Sequence, residues 1–124
     1  MFFEYLCVGA GGFIGAMFRH LLGLIPIFKK LKFPFITIFI NVLGSFVIGI
    51  ISQAAAKYKN IDMRLVLFLK TGLCGGFTTF STFALESSNL FSDSEYLIGC
   101  IYIIFSVILS FAAVALGKYF MNSL

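Results

Sequence analysis

The chain alternates long apolar runs with short polar connections. A helix that crosses a bilayer takes about 20 mostly apolar residues. Four runs reach that length, from about Phe3 to Ile25, Phe35 to Gln53, Arg64 to Ser87 and Tyr96 to Gly117. Pro26 stops the first run, and Pro34 suits the first turn of the second. The connections PIFKKLKF, KYKNID and NLFSDSE are brief and polar. The pattern predicts an all-α integral membrane protein with four transmembrane helices in a single domain over residues 1–124. Both termini then lie on one side of the membrane.

Composition strengthens this picture. Hydrophobic residues make up 60% and charged residues 11%, against roughly 45–50% and about 25% in soluble domains. The opening MFFEYLCVGAGG has neither a positive n-region nor a small-residue cleavage site, so it reads as a retained span. Cys7, Cys74 and Cys100 lie in apolar runs without metal-site spacing and read as buried thiols. The net charge of +4 sits in short loops at membrane boundaries, which argues against nucleic acid. GAGGFIGA fails the dinucleotide pattern at Ile14, and no strand precedes it. No nucleophile–base pair can be assembled, so an enzyme is not expected. His20 reads as interfacial packing.

Charge leaves orientation open. Lys29, Lys30 and Lys32 stand on one side, and Lys57, Lys59, Arg64 and Lys118 on the other. Arg19 and Lys70 join opposite sides and keep the balance nearly even. Either other cues set one topology, or the chain inserts both ways and opposed copies associate. The small size of the protomer also favours an oligomer. Gly11 with Gly15, and Ser45 with Gly49, form small-xxx-small pairs suited to close helix contact.

Three spans carry polar stripes. Thr37, Asn41 and Ser45 share a face of the second, and Tyr102, Ser106 and Ser110 a face of the fourth. The third supplies Thr78, Thr79, Ser81 and Thr82. Such stripes either bind helices together or line a polar pathway. No Asp or Glu lies mid-span, whereas cation and proton pathways use intramembrane carboxylates. Hydroxyls and the Asn41 amide are donors, and Arg19 and Lys70 near span ends attract anions. The cargo this chemistry favours is a small anion.

The third run contains GGFTTFSTF from Gly75 to Phe83. Paired glycines weaken a helix by about 1 kcal/mol each relative to alanine, so a break is expected at Gly75–Gly76. A break frees backbone groups at membrane depth, where they must face protein, water or an ion. Phe77, Phe80 and Phe83 recur every three residues. Their spacing fits core packing, while their positive ring edges also suit an anion.

The chain resembles the Fluc family (also called CrcB), the bacterial fluoride channels. GGFIGAMFR at Gly11–Arg19, NVLGSFVIG at Asn41–Gly49 and GLCGGFTTFSTF at Gly72–Phe83 carry the resemblance in order across nearly the whole chain. His20 departs from it, since a tyrosine commonly follows the arginine. The resemblance implies a passive fluoride channel that exports cytoplasmic fluoride across the bacterial inner membrane. It implies an antiparallel, dual-topology homodimer with the third helix broken at its centre. It also implies a structural Na⁺ held by the backbone carbonyls of Gly75 and Thr78 in each chain. Phe80 and Phe83 would line the pore, with Asn41, Ser81, Thr82, Tyr102 and Ser110 beside the ion. Ser106 fits the same stripe. Glu86 would stand at a pore mouth, and Arg19 would support the pathway or attract anions. Two other readings remain: a proton-coupled exporter of cationic drugs, which needs a carboxylate deeper than Glu4, and a non-transporting assembly subunit.

Overall fold

The computed structural model describes residues 1–124, which are almost entirely helical. Four stretches are long and apolar enough to cross a membrane: Phe2–Gly23, Phe35–Lys57, Met63–Ser92 and Tyr96–Ser123. They define a multi-pass membrane protein. In chain order the helices are α1 (Phe2–Gly23), the short α2 (Pro26–Lys29) and α3 (Phe35–Lys57). The third span contains α4 (Met63–Val66), a π-helical segment (Leu67–Cys74), α5 (Gly75–Phe77) and α6 (Phe80–Ser92). The fourth is α7 (Tyr96–Ser123), which runs six residues beyond Gly117, where the apolar pattern ends.

Pro26 starts α2 at a position where its missing N–H costs nothing. Asp62 caps α4 by accepting the Arg64 N–H at 2.9 Å. The α6–α7 turn carries Ser94 at φ 62°, and the adjoining Glu95 pairs with Lys32 of the first loop. That carboxylate holds the exposed Lys32 ammonium above its ordinary pKa.

Glycines set how the spans pack. A Cβ on Gly15 would lie 2.2 Å from the Leu73 carbonyl oxygen, and one on Gly76 would lie 2.4 Å from that of Gly12. The first span and the front half of the third therefore meet backbone to backbone, where any side chain would intrude. The second and fourth spans meet similarly, with Gly117 against the Phe46 carbonyl and Gly49 against that of Val114. Gly11 and Gly15 both face the third span as a pair. Of Ser45 and Gly49, only the glycine makes the close approach.

The third span is interrupted, though not at its glycines. Gly75 keeps helical angles (φ −63°, ψ −38°), whereas Thr78 and Thr79 are extended, with ψ of 156° and 119°. The difference has a physical reason. The close approach of Gly76 to α1 offsets the helical cost of glycine there, while β-branched threonine accepts extended backbone readily. Before the break, the π-helical segment is a rare, wider winding that often marks functional positions.

Candidate functional site

The interruption leaves backbone groups that need partners, and α3 provides them. Thr79 donates its N–H to Asn41 Oδ1 at 2.8 Å and accepts from Asn41 Nδ2 at 3.1 Å. One carboxamide thus pairs with both backbone groups of an extended residue, as a neighbouring strand would. The Thr79 hydroxyl accepts the Thr82 N–H at 3.1 Å and so caps α6. It also donates to Thr82 Oγ1 at 3.1 Å and lies 3.4 Å from Ser81 Oγ.

Two carbonyls remain without a helical partner. The Thr78 N–H bonds the Cys74 carbonyl at 2.9 Å, and the Thr79 N–H is taken by Asn41. Neither closes on the Gly75 carbonyl, which would ordinarily accept one of them. The Thr78 carbonyl accepts no backbone N–H either. The Thr78 hydroxyl turns back to the Cys74 carbonyl at 2.8 Å. Freed carbonyls suit a hard monovalent cation, and the chain has no cluster of three or more His, Cys, Asp or Glu residues for a transition metal. The hard oxygen donors at Gly75 and Thr78 are compatible with the Na⁺ that the family resemblance implies.

A groove of about 350 Å³ opens beside the break. It gathers Asn41 and Ser45 from α3, Phe80 and Phe83 from α6, Ser106 and Ser110 from α7, and Thr78 with Thr79. No carboxylate lines it. The Phe80 and Phe83 rings lie 5.5 Å apart, and Phe83 lies 5.3 Å from Tyr102. Phe80 is 80% exposed, an unusual position for a large apolar ring beside a polar groove. Ser106 is only 6% exposed, and its hydroxyl has no hydrogen-bond partner in the chain. An unpaired buried hydroxyl costs about 1–3 kcal/mol, and this one belongs to a residue of the groove wall.

A second cavity, of about 610 Å³, meets the groove at Thr79, which lines both. It is charged, with Arg19, His20, Lys29 and Lys32 opposite Glu86 and Asp93. Glu86 is bound on both oxygens. Thr37 donates to Oε1 at 2.9 Å and Tyr102 donates to Oε2 at 2.6 Å, which ties the second, third and fourth spans together. Tyr102 is fully buried.

The sequence-predicted residues thus separate. Asn41, Phe80, Phe83, Ser106 and Ser110 come together in the groove. Arg19, Thr82 and Glu86 line the charged cavity, with the half-buried Arg19 on the α1 face beside the break. Tyr102 lies beneath, between Phe83 and Glu86. Ser81 is exposed on α6, and Gly75 and Lys70 are exposed on the front half of the third span, outside both cavities. Glu4 occupies the exposed first turn of α1. The stripe pattern flagged Thr37 and Thr79 only as stripe members. Their roles rest on Glu86 and Asn41 lying opposite, across 49 and 38 residues of sequence.

Fold and site define a four-span membrane protein whose donor-lined groove adjoins a charged cavity. The family described as "CrcB-like protein, Camphor Resistance (CrcB)" matches residues 6–118. A protein of Chlorobium chlorochromatii (strain CaD3) is 45% identical over 112 residues, covering 90% of this chain and 87% of its own. One from Ruminiclostridium cellulolyticum is 42% identical over 114 residues, at 91% and 88% coverage. One from Rhizobium leguminosarum bv. trifolii (strain WSM2304) is 42% identical over 122 residues, at 98% of each chain. All three are named fluoride-specific ion channel FluC. The chain belongs to the CrcB family.

Proposed function

We propose that this protein is a passive fluoride channel of the bacterial inner membrane that exports cytoplasmic fluoride. The observation that carries the reading is the carboxylate-free groove with the unpaired Ser106 hydroxyl inside it. Fluoride is small and strongly hydrated, so a pathway must replace its water with donors. Hydroxyls of Ser106 and Ser110, the Asn41 amide and the positive edges of Phe80 and Phe83 do this without a fixed positive charge. Arg19, in the adjoining cavity, raises the local anion concentration. Relatives of nearly the same length bear the name of a fluoride-specific channel.

The working unit is an antiparallel, dual-topology homodimer. Phe80, Lys70, Thr71 and Gly75 are exposed on one copy, and exposed polar groups at membrane depth need a protein or water partner. A second copy against these residues completes the groove. It also brings a second pair of Gly75 and Thr78 carbonyl oxygens to the centre. Those residues would hold a structural Na⁺, whose charge would offset the clustered carbonyl dipoles. Crosslinking then joins opposed ends of two chains, and strictly parallel pairs would refute the arrangement.

Growth tests the export function. Expressed in a bacterium lacking its own fluoride exporter, the protein restores growth in millimolar-range fluoride, and the Phe80→Ala variant does not. Failure of the unaltered protein to rescue, with the protein present in the membrane, overturns the proposal.

A further inference from the structure

The side of α3 turned away from the ion groove lines a second groove, of about 710 Å³ and entirely apolar. Phe35, Phe39, Val42 and Phe46 recur there at three- and four-residue spacing, closed in by Leu22 of α1 and Leu109 of α7. Asn41 and Ser45 of the same helix face the other way, into the donor-lined groove. A two-fold pair of chains uses one self-complementary patch on each copy. In the reading above that patch is the Phe80 face, so the apolar groove on the far side remains open to the bilayer.

One end of this groove is electrostatically distinct. Phe28, Phe35 and Ile36 wall both the apolar groove and the charged cavity, and Lys29 lines the latter. Lys29 and Lys30 close the short α2 segment and are exposed. Neither is engaged by a carboxylate, because the only ion pair is Lys32 with Glu95. Lysine stems lie along apolar surface while their ammonium groups reach outward.

We infer that this groove and its lysine rim bind an anionic phospholipid. One acyl chain occupies the Phe39–Val42–Phe46 channel, and the phosphate rests on Lys29 and Lys30. The chemistry needs both parts: a zwitterionic lipid satisfies the groove without the net charge, and a headgroup alone satisfies the lysines without the chain.

Native mass spectrometry of the purified protein, incubated with equal amounts of phosphatidylglycerol and phosphatidylcholine of the same chain length, tests the inference. Phosphatidylglycerol adducts should exceed phosphatidylcholine adducts by roughly five-fold for each contributing lysine. Lys29→Gln with Lys30→Gln should abolish the preference, while Lys57→Gln with Lys59→Gln at the opposite ends of the helices leaves it intact. Glycerophosphoglycerol, the headgroup without chains, should not be retained. Equal retention of the two lipids, a preference that survives in the Lys29/Lys30 variant, or retention of the chainless headgroup overturns the inference. The same spectra report whether the chain is paired, so a failure of pairing is distinguished from a failure of lipid binding.

Discussion

The two halves of the third span use the same membrane depth in opposite ways. Before the break, Gly72 and Gly76 bring the backbone against α1 so closely that no side chain fits between. After it, α6 directs phenylalanines and hydroxyls toward cavities and leaves Phe80 largely uncovered. The front half anchors the span. The back half starts afresh, with its own threonine cap, and is aimed by side-chain hydrogen bonds to α3 and α7. A pathway residue can be exposed and loosely packed because a tightly packed neighbour fixes the backbone that carries it.

Substitutions that move one half toward the character of the other test this division. The largest effect is expected at Gly76→Ala, whose Cβ would meet Gly12 backbone atoms at 2.4–3.1 Å. The neighbour is the backbone of another helix and cannot yield, so the variant should prevent folding, beyond the roughly 1–3 kcal/mol of ordinary overpacking. Gly75→Ala, one residue earlier, has no atom of its own chain within 4 Å of the added Cβ. It should leave packing within one chain unchanged, so that the thermal midpoint of the unpaired chain stays the same and any loss is confined to pairing. Equal losses at the two sites would dissolve the distinction between a packing glycine and its neighbour.

Asn41→Ala comes next. It strips the partners from the Thr79 N–H and C=O at once, each worth about 1–3 kcal/mol when buried. The expected result is a lower thermal midpoint and faster hydrogen exchange at Thr79, with the front half unaffected. Ser106→Ala separates function from folding. Removing an unpaired buried hydroxyl should leave stability equal or slightly higher, while fluoride efflux falls by about two- to ten-fold, the value of one hydrogen bond. A loss of stability without loss of flux would assign Ser106 to packing.

The smallest effect belongs to the exposed Lys32–Glu95 pair. Glu95 raises the Lys32 pKa, so its contribution is fully present below the ordinary lysine value and disappears as pH rises through the raised one. Solvent and salt screen a pair at this position. Glu95→Gln should therefore change the thermal midpoint slightly at neutral pH and not at all in strong alkali.

Much of this was legible in the sequence. Four runs of spanning length are a one-dimensional property, and so are the stripes at four-residue spacing, of which Asn41, Ser45, Ser106 and Ser110 line the groove while Thr37 and Tyr102 bind Glu86. The position of the break was not, because it depends on a partner. Glycine is the weaker helix former, yet Gly76 stays helical against α1, Gly75 stays helical beside it on the exposed side, and the threonines open against Asn41. Glu86 illustrates the same limit. Its place near the end of a span was visible, but the hydrogen bonds that hold it come from Thr37 and Tyr102 on two other helices.

The most direct measurement of the central claim is ion efflux from liposomes containing the purified protein, with fluoride and chloride followed by selective electrodes under otherwise identical conditions. The account predicts fluoride efflux driven by its own gradient, without a pH gradient, and chloride release close to that of protein-free vesicles. No fluoride efflux, or chloride efflux at an equal rate, would contradict it.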